Sequence, residues 1–460
     1  KWLHENGFRG RAFSIFCGKG NNGGDGLAMA RILSSLGEKV SVQVLEFGHK
    51  GSPEFQENLV RLHTTPVPVT FISEVSSLHP IPTEDVIIDA LFGTGINKPL
   101  EGLAAAVAAH INNSTGTVVS IDIPSGLYPD RSSLGHTIVK ATHTLSFQCL
   151  KLAFLMPENA PFMGQVHLLD IGLHPDFPKL FEPHYHFFDE SMAAAVYRHR
   201  QPFAHKGMQG HAALVVGAPG MMGAAILAAR ACLRSGVGKL TCFIPPEGLE
   251  ILQVSVPEAI CKMREVELNG RKAFGETFNA MGVGPGIGTS EQTSQLIADL
   301  LATYEGRLVL DADALNIMGA HPLRIGKWPS KTILTPHIGE WVRLAGKSHD
   351  DFERLEQVKA FSREHDCIVV LKGRFTFIAS PEGKCYFNGS GNSGLAKAGT
   401  GDVLTGIITS YLAQGYAPLE AALLGVYVHG RAADEAIKTI SIDSLMASDV
   451  IDRLAVLSLP

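Results

Sequence analysis

The stretch from Phe16 to Leu33, FCGKGNNGGDGLAMARIL, carries glycines at Gly18, Gly20 and Gly23. That G-x-G-x-x-G spacing lets backbone approach a pyrophosphate at the start of a helix. Glu46, closing the next β-rich run, stands where a ribose partner is expected. A tight turn with no ligand would use the same glycines. Asn21, Asn22, Gly24 and Asp25 extend the motif, and their amide and carboxylate groups exceed what a bare phosphate cradle needs. A second glycine-rich loop, DALFGTGINKPL (Asp89 to Leu100), offers Gly93, Thr94 and Gly95 as a backbone nest for phosphate. Lys98, next to Pro99, is a counter-charge for it. In SIDIPSGL (Ser120 to Leu127), Pro124 and Gly126 fix a turn that leaves Asp122 at the sheet rim. There it serves as a general acid or base, or as an Asx-turn residue bonding its own backbone.

The second half has its own reactive pattern. In NSGLAKAGTGDVLTGIITSYL (Asn392 to Leu412), Gly399, Thr400 and Gly401 precede a long apolar helix, whose first N–H groups form an anion site. Asp402 at that end is placed to take a proton from a hydroxyl undergoing phosphorylation. Asp is also a common helix cap, but a cap alone does not need glycines two residues apart before it. Upstream, HKGMQGHAALVVGAPGMMGAAILAARACLRSGVGKLT reads as strand, turn and helix. Gly220, Gly223, Ala224 and Ala225 are small turn residues that let a planar ligand lie on backbone, or let helix and strand pack closely. Ile226, Leu227, Ala231 and Leu233 make that helix core.

Two series of elements must position these groups. RAFSIFC, KVSVQVLEF, VIIDALF, TVVSIDI, HTLSFQ and QVHLLDI alternate with helical patterns, which predicts an α/β domain with a mostly parallel sheet. The alternation lapses after Gly172 and resumes at AALVVGA, LTCFIP, NAMGVGPG, RLVLDADAL, KTILTP and CIVVLKG. We therefore expect two α/β domains, residues 1–190 and 191–460. With 460 residues and 45% hydrophobic composition, both have enough apolar surface for full cores. A net charge of -6 argues against a nucleic-acid surface. Seven scattered cysteines without a C-x-x-C pair suggest neither a disulfide framework nor a zinc site, and point to a reducing cytoplasm. No apolar run reaches the roughly 20 residues that span a bilayer, so no membrane association is expected. The opening KWLHENGFRG lacks an initiator Met and a signal core, so we expect the chain to begin inside a longer native one.

GKGNNGGDG, DALFGTGINKPL, IDIPSG and ATHTLSFQCLK, in this order, resemble the NAD(P)H-hydrate epimerase domain. The resemblance implies a Rossmann-like domain that binds the C6 hydrate of NADH or NADPH and interconverts its R and S forms. It places Asn21 to Asp25 and Gly93 to Leu100 at substrate phosphate and ribose. It places Asn22, Asp89 and Ser125 around a potassium ion, consistent with oxygen ligands for a hard cation. Asp122 falls on the acid/base position, and Lys151 on a family lysine with a catalytic or an ion-pairing role. Members usually carry a helix before the first strand, and only ten residues precede it here.

GTGD at Gly399 to Asp402 resembles the anion hole and base of ribokinase-type kinases. HKG (His205 to Gly207), GVGPGIG (Gly282 to Gly288), DADALN (Asp311 to Asn316), TPHIGEW (Thr335 to Trp341) and VLKGRFTFI (Val370 to Ile378) resemble ADP/ATP-dependent NAD(P)H-hydrate dehydratases. This implies a ribokinase-like α/β domain that uses ADP, or ATP, with magnesium. Hydrate positions fall on Ala225, Gly286, His337 and Asp402. Nucleotide positions fall on Lys372, Gly373, Arg374, Phe375 and Thr376, and on Gly399, Thr400 and Gly401. His337 is otherwise a core histidine. Ala218 and Pro219 depart from the Gly-Ser that relatives often carry. Both halves point to one metabolite, and a homo-oligomer is expected. The competing readings are an NAD-dependent oxidoreductase joined to a small-molecule kinase, and a nucleotide sensor without turnover.

Overall fold

A computed structural model of the chain describes residues 1–48, 50–174, 176–180, 182–264, 278–321 and 328–457. Its contacts divide into two units, Lys1–Glu182 with Asp350–Phe352, and Pro183–His349 with Glu353–Pro460.

The first unit is built on seven strands: β1 (Ala12–Cys17), β2 (Lys39–Leu45), β3 (Val69–Ile72), β4 (Val86–Ala90), β5 (Thr117–Ile121), β6 (His143–Phe147) and β7 (Gln165–Leu169). All pair in parallel, in the order β3-β2-β1-β4-β5-β6-β7. Central strands buried on both faces need apolar residues throughout, which AFSIFC and TVVSI supply. Side chains alternate across the pleat: Phe13, Ile15 and Cys17 enter one core with Leu27 and Phe55, while Phe16 enters another with Val107 and Ile111. The strand order reverses between β1 and β4, so the loops leaving their C-terminal ends open a crevice, the usual ligand place in such sheets. Asn21–Ser35 is one helix capped at Gly20. Asn21, Asn22 and Asp25 therefore stand on its first turns, not in the loop that the sequence suggests.

The second unit has a ten-stranded sheet. Its strands are β8 (His186–Phe188), β9 (His211–Val215), β10 (Lys239–Ile244), β11 (Ile260–Met263), β12 (Ala280–Val283), β13 (Arg307–Leu310), β14 (Ile333–Leu334), β15 (Ile368–Leu371), β16 (Phe377–Ala379) and β17 (Cys385–Asn388). The order is β11-β10-β9-β12-β13-β14-β15-β16-β17-β8, parallel except where β16 pairs antiparallel with β15 and β17. β8 pairs with β17, so residues 183–190 pack with this unit. The helix Thr400–Ala413 is buried along almost its whole length. Gly406 makes that possible, since a Cβ there would lie 2.2 Å from the Ala228 carbonyl oxygen on the helix Met222–Arg234. Gly223, Ala224 and Ala225 belong to that helix's first turn, not to a loop. Ala225 is fully buried.

Among the described residues no helix is long and apolar enough to cross a membrane.

Candidate active sites

In the first unit, β1, β4 and β5 deliver their C-terminal residues to one edge. Register places Asp89 between Phe16 and Ser120. Asp89 is fully buried and accepts four hydrogen bonds: from Ser120 Oγ (2.7 Å), Ser125 N (2.9 Å), Ser125 Oγ (2.6 Å) and Leu91 N (3.3 Å). Burial pushes its carboxyl above the usual range, against the pull of those donors. Ser125 Oγ also accepts from Phe92 N at 2.9 Å. A Cβ on Gly93 would lie 3.3 Å from Asn22 Cβ, so Asn22 borders the same loop. Among the described residues neither polar atom of the buried Asn22 amide has a partner.

Asp122 follows β5 with φ 68°, a left-handed conformation that Asp adopts more readily than most residues. Lys151 Nζ donates to Asp122 Oδ1 at 2.5 Å, to Ser146 Oγ at 2.6 Å and to the Phe147 carbonyl at 3.2 Å. All three ammonium hydrogens are thus engaged. Oδ2 of Asp122 has no donor among the described residues and remains available for chemistry. Asp25, on the rim, has its carboxyl raised by partial burial and by the charge of Asp122. Thr94, Gly95, Lys98 and Pro99 are exposed at the mouth.

The glycine motif has a packing explanation. A Cβ on Gly18 would lie 1.9 Å from the Leu91 carbonyl oxygen, and one on Gly23 would lie 1.8 Å from that of Gly18. Gly20 faces open space. Glu46, expected at a ribose, instead pairs with Lys19 and accepts from Gly48 N.

In the second unit a cavity of about 700 Å³ gathers His337, Lys372, Gly373, Arg374, Thr376, Gly399, Thr400, Gly401 and Asp402. Ala225, Gly286 and Phe375 are not in its wall. Gly286, with φ 62°, lies against Met221 and Ala224, where a Cβ would be 2.9 Å from the Met221 carbonyl oxygen. Gly399 caps the Thr400–Ala413 helix at φ 90°. Asp402, in its first turn, has its carboxyl pushed up to about 7 by burial first and by Asp311 second, against the opposing charge of Lys372. Lys372 Nζ lies 2.8 Å from Asp311 Oδ1 and 3.7 Å from Glu340 Oε2. Burial opposes its charge, but the two carboxylates prevail and raise its pKa. His337 is no core residue: half exposed, it caps the helix Ile338–Ala345, accepting from Gly339 N at Nδ1 (2.9 Å).

A model of the NAD(P)H-hydrate dehydratase family matches residues 212–455, and one of the YjeF-related protein N-terminus matches residues 1–153. The bifunctional NAD(P)H-hydrate repair enzyme Nnr of Moorella thermoacetica is 35% identical over 96% of this chain and 87% of its own length. The chain belongs to the bifunctional NAD(P)H-hydrate repair enzyme family. The Thermofilum pendens member is 34% identical over 96% of this chain and 86% of its own. The ADP/ATP-dependent NAD(P)H-hydrate dehydratase of Bacillus subtilis, crystallised with ATP and Mg2+, is 33% identical with a TM-score of 0.54. It aligns with 58% of this chain and 96% of its own. A ribokinase-like superfamily protein of Enterococcus faecalis matches with a TM-score of 0.54 at 26% identity.

Several polar groups of this repair-enzyme family member escaped the sequence reading. Asp311 and Glu340 flank Lys372, and Thr405 donates to Asp311, although DADALN and TPHIGEW already contain the two carboxylates. His429 lines the same cavity, buried, and its Nε2 has no partner among the described residues. Burial, and secondarily Lys372, lower its pKa to about 4, against a bond to the Thr400 backbone. It sits mid-helix in Pro418–Ala436 among apolar residues, where nothing in sequence separates it from core.

Proposed function

We propose that this chain repairs hydrated nicotinamide nucleotides: its first unit epimerises the R and S hydrates of NADH and NADPH, and its second dehydrates the S form with ADP or ATP. The observation that carries this is a single cavity in which Asp402, Lys372 and the Gly399–Gly401 turn converge. Asp402, near neutral in its proton affinity, takes the proton of the C6 hydroxyl as that oxygen attacks the terminal phosphorus of the nucleotide and displaces AMP from ADP, or ADP from ATP. The Gly399–Gly401 amides at the helix start receive the charge that develops on the phosphoryl oxygens. Phosphate then departs with the C6–O electron pair, and loss of a C5 proton restores the double bond. His337 orients the hydrate, and Lys372, Gly373, Arg374 and Thr376 hold the nucleotide. Ala225 and Gly286, outside the cavity wall, take part through the backbone that their close packing positions.

In the first unit Asp122 protonates the C6 hydroxyl as the C6–O bond breaks and water leaves, the ring nitrogen's electron pair stabilising C6. It takes a proton back from water adding to the opposite face, with Lys151 holding its Oδ1 and leaving Oδ2 to the substrate. Asn21 to Asp25 and Gly93 to Pro99 hold the dinucleotide's phosphates and ribose. The orphaned Asn22 amide beside the Asp89–Ser125 pair suits a potassium ion, a hard positive charge among oxygens. Magnesium fits differently. No group of three His, Cys, Asp or Glu among the described residues could hold a metal, and Asp311 and Glu340 are engaged by Lys372. Magnesium therefore enters on the nucleotide's phosphates. Seven free thiols support a reducing cytoplasm.

The test is recovery of reduced-nicotinamide absorbance from mixed R and S hydrates with ADP, ATP or neither. Full recovery is expected only with a nucleotide. Asp122→Ala should recover only the S share beyond spontaneous epimerisation, and Asp402→Ala should lose about 10²- to 10⁴-fold in rate. No recovery with either nucleotide would refute the reading.

A further inference from the structure

Asp311 has no role assigned above, yet it bonds both Lys372 and the helix that bears Asp402. It is 1% exposed, follows β13 directly and is the N-cap residue of the helix Ala312–Ala320. Its Oδ1 accepts from Lys372 Nζ at 2.8 Å, and its Oδ2 accepts from Thr405 Oγ1 at 2.7 Å. Thr405 lies three residues after Asp402 on the same helix, hence on the same face. A Cβ on Gly401 would be 3.3 Å from Lys372 Nζ and 3.8 Å from Asp311 Oδ2, so the ammonium lies directly over the glycine turn.

A buried ion pair gives little net stability, so stability alone is a poor reason for this one. Holding a four-carbon lysine stem in one conformation costs rotamer entropy, and a carboxylate tied at both oxygens removes that disorder in advance. We propose that Asp311, tethered by Thr405 to the helix that bears Asp402, is the positioning residue that fixes Lys372 over the Gly399–Gly401 turn, in register with the nucleotide's phosphates. This rests on the reading that the cavity takes ADP or ATP.

Thr405→Val tests it without disturbing any charge: the volume is kept and only the tether is lost. Affinity for ADP with magnesium is measured by calorimetry without hydrate, and turnover of the S hydrate is measured separately. Lys372→Met should weaken ADP binding about tenfold, as expected for one charge-assisted contact. Thr405→Val should weaken it about threefold to tenfold in the otherwise unaltered protein. In the Lys372→Met background it should add less than about twofold, because residues acting through one another are not additive. Unchanged binding in Thr405→Val, or an equal loss in both backgrounds, overturns the proposal. Failure of the unaltered protein to bind ADP or ATP overturns both readings. An intact binding cycle with no hydrate turnover supports Asp311 and refutes the dehydratase.

Discussion

Asp402, the proposed base, lies among Asp311, Asp313 and Glu340, and burial together with those charges pushes its carboxyl up to about 7. A base of that affinity is ionised above pH 7 and protonated below it. The kcat/KM of the dehydratase step should therefore fall as pH drops through about 7, a limb absent from the residual activity of Asp402→Asn. Stability follows the opposite sign. The folded carboxyl binds its proton more tightly than the unfolded one, whose reference is 3.8, so folding loses stability as pH rises between those values. Asp402→Asn should raise the melting temperature at pH 8, with the gain shrinking towards pH 4; equal melting at both would show the carboxyl is not so perturbed. His429, pushed down to about 4, is neutral near pH 7 and contributes nothing to the activity limb there.

At the scale of elements, both sites depend on close backbone approach. The turn after β1 packs against the loop after β4 only because Gly18 lacks a side chain, and its own helix packs back on Gly18 only because Gly23 lacks one. Gly406 does the same where the Thr400–Ala413 helix crosses Met222–Arg234. Gly406→Ala places a methyl group against the Ala228 carbonyl and should cost about 1–3 kcal/mol by overpacking, read as an earlier melting of the second unit. Gly20→Ala meets open space and should leave the first unit's melting nearly unchanged. An outcome in which Gly20→Ala destabilises more than Gly23→Ala would contradict the packing account of the motif.

For the whole molecule, each unit carries a full set of candidate groups of its own. Mixing Asp122→Ala with Asp402→Ala protein should therefore restore full, nucleotide-dependent recovery of both hydrates, since the S form diffuses from one protein to the other. Recovery limited to the S share in that mixture would require that epimerised substrate pass within one molecule.

The alternation of apolar runs and helices fixed two α/β units in advance, because parallel strands buried on both faces need such runs. GTGD and IDIPSG were legible because their groups lie within a few residues of one strand or helix end. Short or edge strands such as β3, β8, β11 and β17 were not, since a few residues carry too little periodicity. Partnership across the chain was beyond the sequence as well: Asp311 meets Thr405 over 94 residues, and Lys372 over 61. Local sequence determined which chemistries are present and at which element ends. Only tertiary packing decided which carboxylate is buried beside which ammonium, and burial with its neighbours is what sets proton affinity.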